Sequence, residues 1–224
     1  MPAFLLRADD VLRRRPWTTR STDVFPALAT LATTAVIFGM TYGAVMGSFS
    51  GVWDQRAWQV VYSAVKVPLL LSATSLIALP SFFVLNTLFG LRRDFVEAAR
   101  ALIATQAGLA VILASLAPLT AFWYASSADY RNAILFNGLM FATASFAAQG
   151  LLRGYYRPLI ERNRRHRWML WTWIVLYVFV GIQMGWVLRP FVGDPDAPVQ
   201  FFREGAWDNA YVVVARLIYR VLAG

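Results

Sequence analysis

The chain has 224 residues, 58% hydrophobic and 15% charged, whereas soluble domains average about 45–50% apolar and about 25% charged residues, so a membrane protein is indicated. It has no cysteine and one histidine, His166, which excludes disulfides, thiolate chemistry and a multi-histidine metal site. The net charge of +9 comes from arginines that alternate with apolar stretches, a pattern that membrane topology explains better than nucleic acid binding.

Residues 1–26 are predicted to form a basic N-terminal segment. The segment carries five arginines and three aspartates, and it has no cleavage site of the kind that ends a signal peptide. Apolar residues spaced three or four apart, among them Phe4 and Val11, would suit an amphipathic helix on the membrane surface. We expect a partly ordered tail instead, whose main role is to supply positive charge.

The first long stretch without a charged residue covers residues 27–49 and predicts a spanning helix. Ala35, Gly39, Gly43 and Gly47 recur every four residues in it, which places them on one stripe of a helix. A stripe of small residues lets a second helix approach closely. We interpret the stripe as the face against which other helices of the chain pack, with the seam of a homodimer as the alternative.

Four further apolar stretches are each long enough to cross a bilayer, which takes about 20 residues. They cover residues 60–89, 101–124, 132–152 and 168–188. Pro68 and Pro80 predict that the second span is kinked or broken. In the fifth span, Gly181 and Gly185 form another small pair four residues apart. The predicted fold is therefore an all-α polytopic bundle of five spanning helices over residues 27–188, with amphipathic segments at the termini.

The distribution of basic residues predicts the orientation of the bundle. The N-terminal segment and the links after the second and fourth spans carry most of the arginines, and the other two links carry very few. Basic loops stay on the cytoplasmic side of a membrane. We therefore expect a cytoplasmic N-terminus and an extracytoplasmic C-terminal segment, residues 189–224.

Five basic residues are candidates for contact with lipid headgroups or other anions. They are Arg162, Arg164, Arg165 and Arg167 in the link before the fifth span, and Lys66 inside the second span. For Lys66 the alternative is a side chain that reaches the membrane interface without a specific ligand, which we consider the better interpretation. Uncharged polar residues in the spans, such as Asn137, are expected to form hydrogen bonds between helices.

The C-terminal segment combines prolines, charges and aromatic residues, followed by a predicted amphipathic helix over residues 207–221. Its candidate partner-binding residues are Trp186, Arg189, Asp194, Asp196, Phe201, Phe202, Arg203 and Trp207. Aromatic and charged residues on a loop braced by prolines suit the docking of a partner protein. They equally suit a loop that folds back and caps the helices of its own chain.

Three stretches resemble a group of uncharacterised bacterial multispanning membrane proteins. They are residues 66–70, residues 79–90, and residues 185–195 followed by 200–203. Residues 90–118 are also similar to the Yip1-domain family, whose members have five spans and a cytoplasmic N-terminus. These resemblances imply a bacterial inner membrane protein and supply no catalytic residues.

The expected function is that of a non-enzymatic membrane scaffold or accessory subunit without a cofactor. Its expected partners are membrane lipids and other membrane protein subunits, a second copy of the chain included, and not nucleic acid. The alternative is a channel or transport component that uses Lys66 and the second span, because interrupted helices mark transporter sites. An enzyme acting on lipid ranks third, because the sequence shows no nucleophile and base pair.

Overall fold

A computed structural model describes residues 3–20, 23–203, 206–207 and 209–212 of the chain, and in these residues it contains helices and no strand. The α-helices are α1 (Ala3–Leu12), α2 (Trp17–Arg20), α3 (Val24–Gly47), α4 (Ala57–Leu88), α5 (Phe95–Ser126), α6 (Tyr130–Arg162) and α7 (Arg165–Val187). The helices α3 to α7 are long and apolar enough to cross a membrane. The predicted all-α bundle with five long apolar helices is confirmed.

The helices differ from the predicted spans in their first and last residues and in the continuity of the second span. Pro68 and Pro80 both lie inside α4, which is one continuous helix, so of the two predicted alternatives the break is wrong and the kink stays a prediction. The helix α5 begins six residues before the predicted third span, and α6 ends ten residues after the predicted fourth span. Arginine, glutamate and leucine are good helix formers, so these helices continue into the charged links.

The N-terminal segment is not a partly ordered tail, and that prediction is wrong. It forms α1 and α2, which pack against α5 and α3. Val11 is fully buried, and its carbonyl accepts a hydrogen bond of 2.6 Å from the hydroxyl of Tyr155 on α6. The indole of Trp17 donates to Asp10 at 3.0 Å. Ala8 and Val11 of α1 are therefore buried against the bundle, whereas its larger apolar residues Phe4, Leu5, Leu6 and Leu12 are exposed.

Packing in the bundle is arranged around α3 and α5. The helix α3 lies between α4 and α5, while α6 packs on α5 and α7 packs on α4. The buried face of α5 consists largely of alanines, namely Ala98, Ala101, Ala104, Ala107, Ala110 and Ala117. Bulky apolar side chains point outwards, such as Phe146 (84% exposed) and Leu76 (67% exposed). Small residues inside and large apolar residues outside suit hydrocarbon as the surrounding medium, so the protein is membrane-embedded.

Glycines of the α3 stripe are in contact with α4. A β-carbon at Gly43 would lie 2.9 Å from the α-carbon of Ala64, and one at Gly47 would lie 2.7 Å from the carbonyl oxygen of Gln59. At Gly39 the nearest atoms belong to Pro68, at 3.4 Å. These distances leave room only for glycine at the two closest positions. The stripe is therefore used inside the chain.

The other small residues predicted to pack between helices are Ala35, Gly181 and Gly185, and they differ in what surrounds them. Ala35 is partly buried and lies against both apolar clusters of the core. A β-carbon at Gly181 would lie 3.5 Å from the methyl group of Thr74 on α4. At Gly185, which is half-buried, it would meet no atom of the described residues within 4 Å, so packing of this glycine inside the chain stays a prediction.

Candidate functional site at the loop end of the bundle

The end of the bundle formed by residues 48–56, 127–129 and 188–203 is called the loop end here. The C-terminal loop, residues 188–203, folds back over it and is held by side chains of α4. Lys66 Nζ donates to the carbonyl of Pro190 at 2.7 Å. The carbonyl of Phe191 accepts from Gln59 Nε2 at 3.3 Å and also from the hydroxyl of Ser63. Main-chain carbonyls outside helices and sheets need such donors when they are buried.

Arg56 holds the next turn of the C-terminal loop. Its guanidinium donates to the carbonyls of Asp194 at 2.8 Å and Ala197 at 3.1 Å, and to that of Pro195. A guanidinium has five N–H donors in a planar fork, which suits several carbonyls that converge on one point. The sequence suited either a segment that docks a partner protein or one that caps the helices of its own chain. In the structure, residues 188–203 cap the helices of their own chain.

Lys66 is the residue whose position departs most from the prediction. Its side chain has no exposed surface, and its ammonium lies 4.9 Å from the centre of the Phe201 ring. A buried ammonium is tolerated where a carbonyl and an aromatic face replace water. Because Lys66 does not reach the protein surface, the prediction of a lipid or anion contact is wrong for this residue.

The predicted partner-binding residues divide into two sets. Trp186, Arg189, Asp194 and Phe201 are half-buried, while Asp196, Phe202, Arg203 and Trp207 are exposed. The guanidinium of Arg189 stacks over the Trp186 ring at 3.3 Å, which orients it at the edge of the loop. Trp207 is 80% exposed and forms part of an aromatic surface with Phe202. The exposed set alone is accessible to a partner.

The last described residues lie against α7. The backbone is helical over residues 210–212, and the rest of the helix predicted for 207–221 lies outside the described residues. The hydroxyl of Tyr211 donates to the carbonyl of Phe179 at 2.6 Å, and the two rings stack at 4.7 Å. Loss of hydration by this packing raises the pKa of Tyr211 above its ordinary value.

A cavity of about 430 Å³ lies between α3, α4, α6 and the C-terminal loop. Its walls are mainly apolar, with Met46, Leu70, Ile134 and Phe141 among them, and Arg189 and Arg203 line it from the loop. Its size falls in the range of about 300–1,000 Å³ that is typical of small-molecule sites. Sequence reasoning missed this cavity, because its walls come from helices far apart in the chain.

The floor of this cavity holds a buried hydrogen-bond network on Asn137. The amide oxygen of Asn137 accepts from the hydroxyl of Tyr42 at 3.1 Å. Its Nδ2 donates to the hydroxyl of Tyr124 at 2.5 Å and to the carbonyl of Ala133 at 2.8 Å. Both N–H groups of the amide and one lone pair of its oxygen are therefore used, and the network joins α3, α5 and α6. This is the structural role expected for Asn137.

The opposite end of the bundle, called the arginine-rich end here, consists of residues 3–20 and 23, the links at 89–94 and 163–164, and the adjoining turns of α5, α6 and α7 at 95–100, 157–162 and 165–167. Asp94 accepts from Arg162 at 2.9 Å and lies 3.1 Å from Nε2 of the fully buried His166. Arg162 also pairs with Glu97 at 3.1 Å. The lone histidine is thus bound to a carboxylate between two helices. No cluster of metal-ligating side chains occurs in the part of the chain that the structure describes.

The four arginines predicted to contact anions have different surroundings. Arg162 is engaged by two carboxylates, and Arg165 donates to the carbonyl of Phe89 at 3.2 Å. Arg164 and Arg167 are exposed at the surface of the arginine-rich end. Their positions suit contact with phospholipid headgroups, which remains a prediction for these two residues.

The fold and the site define a membrane-embedded bundle of five long helices, whose loop end is capped by its own C-terminal loop. No family model, curated protein or solved structure matches the chain. The resemblance to Yip1-domain proteins stays a prediction, and the function has to be argued from the geometry.

Proposed function

We propose that the protein is a non-enzymatic integral membrane scaffold or accessory subunit that packs against helices of partner membrane proteins. The observation that carries this proposal is a pair of glycines with open space beside them. A β-carbon at Gly150 on α6 or at Gly185 on α7 would meet no atom of the described residues within 4 Å. Helices associate in lipid through close contact at small residues. Among the described residues, these two positions leave room for a helix from another chain.

The surroundings of the single histidine support a non-enzymatic role. His166 is fully buried at the arginine-rich end, and its ring is bound to Asp94 and packed against Tyr156. A general base needs access to a substrate proton. The arrangement instead fastens the link between α6 and α7 to the link between α4 and α5.

The location we propose is the bacterial inner membrane, with the arginine-rich end in the cytoplasm. Residues 7–20, 92–100 and 153–167, at or beside this end, carry 14 of the 20 arginines of the chain. The loop end carries few, and two of them, Arg56 and Arg189, are occupied by the C-terminal loop or by Trp186. Basic residues concentrate on the cytoplasmic side of membrane proteins.

The alternative of a channel or transport component has weaker support. Lys66, which was expected to line the path, is buried against Pro190 and is not part of the cavity wall. The second span is a continuous helix and does not offer the freed backbone groups of an interrupted one.

Replacing the two open glycines tests the proposal. Gly150→Leu and Gly185→Leu put bulk where a partner helix would approach, and Ser145→Leu adds a bulky side chain at an exposed position on another face of α6. Each tagged variant is purified from native membranes in mild detergent, and its co-purifying membrane proteins are quantified. We expect the glycine variants to lose proteins that Ser145→Leu and the wild type retain. An unchanged set in all four samples would contradict the proposal.

A further inference from the structure

We propose that the cavity between α3, α4, α6 and the C-terminal loop binds one anionic phospholipid of the leaflet at the loop end. Its acyl chain would occupy the apolar part of the cavity, and its phosphate would lie at Arg189 and Arg203. The inference is independent of the accessory role, because Gly150 and Gly185 are not part of the cavity wall.

The apolar part of the cavity is open to the surroundings of the bundle. The walls on α4 and α6 are formed by Leu70, Ile134 and Phe141, and these two helices do not pack against each other. Ile134 is 45% exposed and Gly138 is exposed, so the opening faces away from the core. An apolar space that opens into hydrocarbon is filled by an acyl chain, because water gains too few hydrogen bonds there.

The floor of the cavity favours a ligand with an apolar lower part. Asn137 lies seven residues after the first residue of α6, which places it about 10 Å along the helix axis. Both of its N–H groups are taken by Tyr124 and Ala133, and its oxygen already accepts from Tyr42, so only one lone pair of that oxygen is left for a ligand. A soluble polar metabolite would gain little from Asn137 at this depth, whereas a hydrocarbon chain needs no polar partner.

The charge at the rim selects an anionic headgroup. Arg203 is exposed, and Arg189 is held in place by its stacking on Trp186. A neighbouring cavity of about 260 Å³ is lined by Arg56, Asp194 and Arg203. Among the described residues, the walls of the two cavities therefore hold three arginines and one carboxylate. Each arginine near a membrane surface strengthens binding of an anionic lipid by about fivefold.

Native mass spectrometry of the purified protein in detergent tests the proposal. The probes are dioleoyl phosphatidylglycerol and dioleoyl phosphatidylcholine, which share their chains and differ in headgroup charge. We expect the wild type to bind one phosphatidylglycerol in preference to phosphatidylcholine. Arg203→Gln should lower the affinity for phosphatidylglycerol about fivefold and leave that for phosphatidylcholine unchanged. Arg131→Gln is the matched control, because Arg131 is exposed at the start of α6 and lies outside the cavity wall.

A second variant tests whether the lipid binds in the cavity or elsewhere on the protein surface. Gly138→Leu adds a side chain in the cavity wall and should reduce the binding of both lipids, with thermal unfolding in detergent used to verify that it folds. Equal affinity of the wild type for the two lipids would overturn the proposal, as would equal losses in Arg203→Gln and Arg131→Gln. A dimer mass that disappears in Gly138→Leu would also overturn it, since a second copy of the chain would then occupy the cavity.

Discussion

The loop end and the arginine-rich end use basic residues in different ways. At the loop end, Arg56 and Lys66 donate to main-chain carbonyls of the C-terminal loop and hold it over the helices. At the arginine-rich end, Arg162 and His166 bind Asp94 in the link before α5. The first end is therefore closed by a loop that basic side chains hold through its main chain. The second end is partly covered by α1 and α2, and Arg164 and Arg167 stay exposed at its surface.

The contacts at the two ends also contribute different amounts to the free energy of unfolding. A buried carbonyl that loses its donor costs about 1–3 kcal/mol, because water cannot replace the donor. Exposed ion pairs contribute about 0–1 kcal/mol, because water and salt screen them. Substitutions at the loop end should therefore have larger effects than comparable substitutions at the arginine-rich end.

The largest effect is expected from Gly43→Leu. The added side chain would collide with the backbone of Ser63 and Ala64, which α4 uses to present its donors to the C-terminal loop. Overpacking costs about 1–3 kcal/mol and more where the backbone cannot move. Thermal unfolding in detergent should show a clear loss of stability, with Gly150→Leu as the matched control at an open position. Equal stability of the two variants would show that α3 and α4 are not in close contact.

A smaller and local effect is expected from Arg56→Gln. The substitution removes the donors to the turn at residues 194–197, and a charged hydrogen bond contributes about 1.5–3 kcal/mol. Amide hydrogen exchange over residues 190–199 should become about tenfold faster or more, since 1.4 kcal/mol corresponds to tenfold. Exchange in α5 should not change. Unchanged exchange of the loop would show that Arg56 does not hold it.

The smallest effect is expected from Asp94→Asn at the arginine-rich end. The asparagine keeps an acceptor oxygen for Arg162 and turns its NH2 group toward Nε2 of His166, which accepts from it as a neutral ring, so the main loss is the charge of a partly exposed carboxylate. The stability in detergent should fall by no more than about 1 kcal/mol. A loss larger than that of Gly43→Leu would reverse the proposed ranking of the two ends.

The sequence predicts the parts of this fold that depend on local composition. The lengths of the five apolar stretches, the four-residue spacing of Gly39, Gly43 and Gly47, and the placement of arginines are all visible in the chain. The contact between Lys66 and Pro190 is not visible, because 124 residues separate them. The same holds for the cavity, whose walls combine three helices and a loop. The burial of α1 was missed because its binding surface exists only after α5 and α6 have packed.

The central claim is that five helices lie in a membrane, with the loop end outside and the arginine-rich end inside. The chain has no cysteine, so single cysteines can be labelled without background. Ala128→Cys at the loop end, Glu161→Cys at the arginine-rich end and Leu76→Cys on the outer face of α4 are all exposed positions. A membrane-impermeant maleimide is applied to cells with a permeable outer envelope. We predict labelling of Ala128→Cys in intact cells, of Glu161→Cys only after the membrane is permeabilised, and of Leu76→Cys in neither case. Rapid labelling of Leu76→Cys, or labelling of Glu161→Cys before permeabilisation, would contradict the account.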